Sequence, residues 1–169
     1  HVFLLNIKIL GIRTPINEID RVLVAAGAII PIFRFDEWEY NFLHQVEIYP
    51  EPFHVIGTEQ KAEGLVGSGS MEGRMLISRP ALHHGFQNDQ NMRNVAIHEF
   101  MHILTPLNLH SQYIGDFDYV DPKMSKHLWL YEGITEYFAG ISQVKGGVIS
   151  PSEYLGEMLR GKIVEAREY

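Results

Sequence analysis

Between Val95 and Leu104 the chain reads V-A-I-H-E-F-M-H-I-L, apolar at every position except His98, Glu99 and His102. At 3.6 residues per turn, positions 98 and 102 share one face and 99 stands beside them. Val95, Ala96, Ile97, Phe100, Met101, Ile103 and Leu104 cover the rest of the cylinder. A helix so apolar must be buried, and two imidazoles and a carboxylate are costly to bury without a partner. A metal ion removes that cost, because both rings can reach one ion while Glu99 stands within reach of a water next to it. A surface helix whose histidines face water would have no use for the apolar back and flanks. Asn88 or Asp89 offers an N-cap, and Pro106 biases Thr105 out of the helical region, ending the element.

Catalytic zinc takes three protein ligands and keeps one position open, so a third donor is expected elsewhere. The segment His127 to Ala139 reads as a helix capped near Ser125. It carries Glu132 and Glu136 four apart on one face, amid Leu128, Trp129, Leu130, Ile134, Tyr137 and Phe138. If Glu132 binds the ion, Glu136 can accept the free ring N–H of a ligating histidine, fixing its tautomer and raising its basicity. The plainer alternative is a half-exposed helix with one solvated acidic edge.

H-E-x-x-H followed by Trp129-Leu130-Tyr131-Glu132-Gly133 resembles the gluzincin metallopeptidases. With Ile134-Thr135-Glu136-Tyr137 added, the segment is most similar to the glycyl aminopeptidase family, whose members often carry a PDZ domain. The likeness runs from about Gly67 to Ala139, and the long spacer between His102 and Glu132 favours that branch. The resemblance implies zinc as cofactor, held by His98, His102 and Glu132, with Glu99 as catalytic acid/base and a peptide as substrate. It also bears on Gly69-Ser70-Met71-Glu72-Gly73, which is similar to the Gly-x-Met-Glu-Asn sequence of gluzincin aminopeptidases, with Gly73 in place of Asn. By that likeness Gly69 and Glu72 line the substrate site and Glu72 holds the α-amine, a sensible pairing of carboxylate with ammonium. The bland reading is a glycine-rich turn with a solvated glutamate. Gluzincins often steady the developing oxyanion with a downstream tyrosine or histidine; Tyr137 and Tyr154 are candidates, and the donor could also lie beyond Tyr169. A non-peptidase zinc hydrolase would use the same residues on an ester or epoxide, and a catalytically silent peptide-binding scaffold would keep the helices without turnover.

Composition sets outer limits. With 169 residues and 46% hydrophobic content, the chain can bury about two-thirds of its unfolded surface in one domain or two small lobes. A net charge of −7 argues against a general nucleic-acid surface, and no apolar run is long enough to span a bilayer. Cysteine is absent, which excludes disulfides and thiolate ligands and leaves the compartment open. The chain starts at His1 without an initiator methionine and stops at Tyr169 within a helical pattern, so it reads as a piece of a longer protein in which other domains are expected.

Along the chain, His1 to Ile9 reads as a strand, and Asn17 caps a helix running to Ile30. Trp38 to Tyr49 and Phe53 to Gly57 look extended, Glu63 to Gly73 reads as a loop, and Arg74 to Ser78 as a strand. His83-His84 read as a solvated loop, adjacent residues on an extended chain pointing opposite ways. His110 and His127, flanking the spacer, are expected in loop or cap roles. After Asp89 come the two glutamate- and histidine-bearing helices and a third from Pro151 through Arg167. The expected fold is α+β: a strand-rich lobe with one helix over 1–88 against a helical lobe over 89–169, with the active site between them. The resemblance implies a thermolysin-like catalytic domain.

Overall fold

The computed structural model describes residues 6–33, 39–55, 59–67, 69–87, 93–104 and 128–167. In chain order these form β1 (Lys8–Gly11), α1 (Glu18–Ile32), β2 (Gln45–Tyr49), β3 (Phe53–His54), β4 (Lys61–Ala62), β5 (Gly64–Val66), a 3₁₀ turn (Gly69–Met71) and β6 (Arg74–Ser78). They continue through α2 (Arg79–Gln87), α3 (Val95–Leu104), α4 (Leu128–Lys145) and α5 (Pro151–Glu157). A π-helical turn (Met158–Lys162) then leads into α6 (Ile163–Ala166). The architecture is α+β, with strands in the order β1-β2-β6-β5 forming one mixed sheet. β1, β2 and β6 run parallel, whereas β5 pairs antiparallel to β6, with Leu65 opposite Leu76. β3 and β4 make a separate small ladder.

Alternation along the central strands decides which face the helices cover. Val46 and Ile48, level with Met75 and Ile77, join Val24, Ala28, Leu82, Ala96 and Phe100 in the main core. On the opposite face lies Glu47, only 2% exposed, satisfied by Arg74 Nε at 2.9 Å and the Tyr49 hydroxyl at 3.1 Å. Helix α1 lies close against α3: a Cβ on Gly27 would stand 2.8 Å from that of Ala96. Tyr40 fastens the same junction, donating its hydroxyl to the Ala28 carbonyl at 2.6 Å and presenting its ring edge to Phe100. Helix α4 buries Tyr131, Thr135 and Ala139, spaced four apart, and Ala139 packs with Ile97 and Met101 of α3.

Asn17 caps α1 as expected, in a reciprocal capping box with Asp20. Pro151 takes the first turn of α5 behind the Ser150 cap, although the last helical stretch is interrupted by the π turn. Other expectations need correcting. Of the strand expected over 1–9, residues 1–5 lie outside the described residues and the described strand begins at Lys8; among the described residues of the 38–49 stretch, only Gln45–Tyr49 is a strand. The glycine-rich segment read as a loop contains β5, the edge of the main sheet. His83 and His84 lie inside α2, not in a loop, and His83 is spoken for. Residues 88–92 and 105–127, with the caps expected from Asn88, Asp89 and Ser125, the Thr105–Pro106 stop, His110 and His127, fall outside the described residues.

The fully buried Asp20 carboxylate ties α1 to α2. It accepts from the Asn17 N–H at 3.0 Å, from Arg79 at 2.9 Å and from the His83 Nε2 at 2.7 Å. Burial opposes its charge, but the bonds from His83, Asn17 and Arg79 outweigh burial and hold its pKa below the ordinary 3.8. Because the folded value is depressed, the associated stability is present above 3.8 and is lost as pH falls through the folded value. Asp20→Ala should destabilise the protein at neutral pH by about 3 kcal/mol, read from urea unfolding, with the deficit shrinking in acid. An unchanged unfolding midpoint would refute the role of this clamp.

Candidate metal centre

Three elements build the site. Helix α3 starts at Asn94, not at the positions expected from sequence. The Asn94 side-chain oxygen accepts the Ile97 N–H at 3.1 Å while its amide donates to the Gly85 carbonyl at 2.9 Å, fixing the start of α3 against α2. From that start, Ala96, Phe100 and Ile103 enter the main core and Ile97 and Met101 meet α4, so the remaining face presents His98, Glu99 and His102. In α4, Glu132 and Glu136 each follow a residue of the buried Tyr131–Thr135–Ala139 stripe. They therefore stand on the rim that faces the histidines.

The Nε2 atoms of His98 and His102 lie 2.9 Å apart, and Glu132 Oε2 is 3.5 Å from each. The other ring nitrogens are taken: His98 Nδ1 lies 3.0 Å from Glu136 Oε2, and His102 Nδ1 lies 3.1 Å from the buried Thr135 hydroxyl. If each Nδ1 carries the proton and donates it outward, both Nε2 lone pairs and a carboxylate oxygen point at one place. A tetrahedral ion with bonds of about 2.0–2.2 Å holds its donors about 3.3–3.6 Å apart, close to the spacing of this trio. His98, His102 and Glu132 are also the one potential metal-holding group found among the described residues.

Charge balance agrees with that geometry. Burial works against a charged His98, yet hydrogen bonds to Glu132 and Glu136 and the nearby Glu99 charge push its pKa up to about 10. Hydrogen bonds from His102 and His98 hold the Glu132 carboxyl well below the usual carboxylate range, and His98 and Lys162 do the same for Glu136. Lys162, on the π turn, reaches Glu136 Oε1 at 2.5 Å. Glu99 is only 7% exposed, and burial pushes its pKa above 4.5 against the pull of the histidine charges. The backbone of Val66, on the edge strand, favours the charged form of Glu99. His98, Glu99, Gly64 and Lys162 all border one cleft of about 1290 Å³, which Lys61 and His84 also line.

Not every residue singled out from sequence converges here. Tyr137 is half exposed, with its ring against Phe138 at 5.3 Å, and lies about 140° around α4 from Glu132. Tyr154 is buried, its hydroxyl without a hydrogen-bond partner, and burial together with the Tyr137 and Glu136 charges raises its pKa. Glu72 is exposed at the start of β6, beside a small pocket lined by Phe42, Gly67 and Ile103, and Gly69 opens the 3₁₀ turn before it. Trp129, the first residue of the downstream motif, is 73% exposed. Thr135, Lys162, Asn94 and Gly64 were missed. Thr135 carries a sequence signal, sitting four before Ala139 on the face that packs against α3, and so does Asn94, a capping residue type directly before Val95.

An H-E-x-x-H helix crossed by a glutamate-bearing helix, with the glutamate oxygen level with both imidazoles, defines a metallopeptidase type of centre. The chain belongs to the glucose-regulated metallopeptidase M90 family, whose profile matches residues 1–145. No curated protein and no solved structure matches it. Membership makes the protein a metallopeptidase and implies a metal; no helix among the described residues is long and apolar enough to cross a membrane.

In chelator-treated protein His98 should hold its proton through neutral pH. The stability it contributes is full below 6.5 and lost as pH rises through about 10. Ring-proton NMR titration checks this, and Glu132→Gln should move the His98 midpoint down. A midpoint near 6.5 in the unsubstituted protein would contradict the arrangement.

Proposed function

We propose that this protein is a zinc-dependent peptidase of the gluzincin type that removes residues from free peptide N-termini, with Glu99 as general acid/base. The observation that carries the reading is the meeting of two imidazole nitrogens and a glutamate oxygen beside a buried carboxylate. His98, His102 and Glu132 would hold the ion. Glu136 and Thr135 would fix the tautomers of His98 and His102, keeping each Nε2 free for the metal. Bound zinc supplies Lewis acidity toward the scissile carbonyl and lowers the pKa of water toward ~7. Glu99 takes the water proton on its carboxylate and hands it to the departing amine, a role that its raised pKa suits. The order of strands first and metal helices afterwards supports a thermolysin-like catalytic domain with the cleft between sheet edge and helices.

Zinc analysis of protein purified without chelator should give one ion per chain, lost in Glu132→Ala and bound about 10–100-fold more weakly in Glu136→Ala. Retention of zinc by Glu132→Ala together with its loss in Glu136→Ala would exchange the two roles. Glu99→Gln should keep zinc and fold while turnover falls about 10²–10⁴-fold. Turnover at the unsubstituted level would exclude Glu99 as the base.

The aminopeptidase reading rests on the sequence motif around Glu72, which borders the smaller pocket and not the cleft that His98 and Glu99 line. Unblocked peptides with glycine or alanine first should be cut and their N-acetylated forms left intact, with Glu72→Ala raising KM for the unblocked ones. Equal cleavage of both would make the enzyme an endopeptidase and leave Glu72 a surface turn residue.

A further inference from the structure

Strand β5 is the outer strand of the main sheet, and one of its residues has no side chain where it faces the catalytic helix. A Cβ built on Gly64 would stand 2.5 Å from Glu99 Oε1, 2.7 Å from Glu99 Cγ and 2.6 Å from Val95 Cγ1. Nonbonded carbon and oxygen atoms do not approach so closely, so an ordinary residue at 64 would displace Glu99. The antiparallel register also fixes which backbone groups are free to meet it. Gly67 N–H donates to Arg74 and Ser78 N–H to Glu63, so the odd-numbered positions 63, 65 and 67 face β6. Gly64 and Val66 therefore turn their peptide groups outward. The Val66 backbone also favours the charged form of the Glu99 carboxylate.

We infer that Gly64 is a positioning residue: its missing side chain makes the slot in which the Glu99 carboxylate lies, against the edge strand and facing the metal-binding face of α3. This rests on Glu99 being the general base. With the Gly64 backbone closing that side and the Val66 backbone favouring its charge, the carboxylate loses part of the rotamer freedom a glutamate normally has. A methyl at 64 leaves the histidines untouched but swings the base away from the reacting water. A misplacement of about 1 Å typically costs about 10²-fold in rate.

The test is a double-substitution cycle on the zinc-loaded full-length protein, assayed with unblocked glycyl and alanyl anilides, or with whichever peptide the enzyme proves to cut. Gly64→Ala should retain zinc and its fold at a modest cost in thermal midpoint, and lower kcat about 10²-fold, with KM changed less than about threefold. In a Glu99→Gln background the same substitution should change the residual rate less than about twofold, because no base is left to misplace. Near-normal kcat in Gly64→Ala overturns the inference, and so does an equal loss in both backgrounds, which would mark a general structural defect. Activity in Glu99→Gln alone would instead sink the general-base reading, and the inference with it. Should Gly64→Ala fail to fold, Gly64→Ala/Val95→Ala removes the second clash and enters the same cycle with the same expected outcomes.

Discussion

Two imidazole nitrogens 2.9 Å apart, with a carboxylate oxygen 3.5 Å from each, are three electron-rich atoms sharing one small space. Such a group is stable only with positive charge at its centre. A proton on His98 meets the need in the metal-free protein and a divalent ion meets it better. The rest of the molecule can be understood as the scaffold that holds these atoms together. α1 packs tightly on the back of α3 through Gly27 and Ala96, α4 lies along the flank of α3 through Ala139, and Asn94 sets where the first turn begins. Without these contacts Glu132 would part from the two histidines and each group would find water.

A second layer decides how good the donors are. His98 leans on Glu136, which is itself neutralised by Lys162, whereas His102 leans on the uncharged hydroxyl of Thr135. The two ligands are therefore unequal: an anionic partner makes an imidazole more electron-rich than a hydroxyl does. Glu99 stands apart from both networks, on the edge strand's side, in surroundings dry enough to raise its proton affinity.

The sequence made the centre of the site legible and its borders obscure, for a physical reason. Within one helix the apolar pattern fixes direction, so the shared face of His98, Glu99 and His102 and the pairing of Glu132 with Glu136 could be derived from period alone. Asn17 was equally readable, because a capping box lies within four residues. What failed were features decided between segments distant in the chain. His83 looked like a loop residue because its partner Asp20 lies 63 positions away. Gly64 looked like part of a loop because close approach to Glu99 leaves no mark in a local pattern; glycine means slack in one setting and tight contact in another. Asn94 was passed over because earlier polar residues were equally good caps until α2 supplied the carbonyl of Gly85.

The matched family region ends at residue 145, yet the lysine that touches Glu136 is Lys162. It arrives there from a π turn, where the helix takes one extra residue per loop and so redirects the side chains that follow. The ammonium draws charge from the carboxylate that leans on His98. Ligand identity and ligand strength are thus written in different parts of the polypeptide. Two chains with the same histidines and glutamates but a different residue in place of Lys162 would hold their ions with different grip.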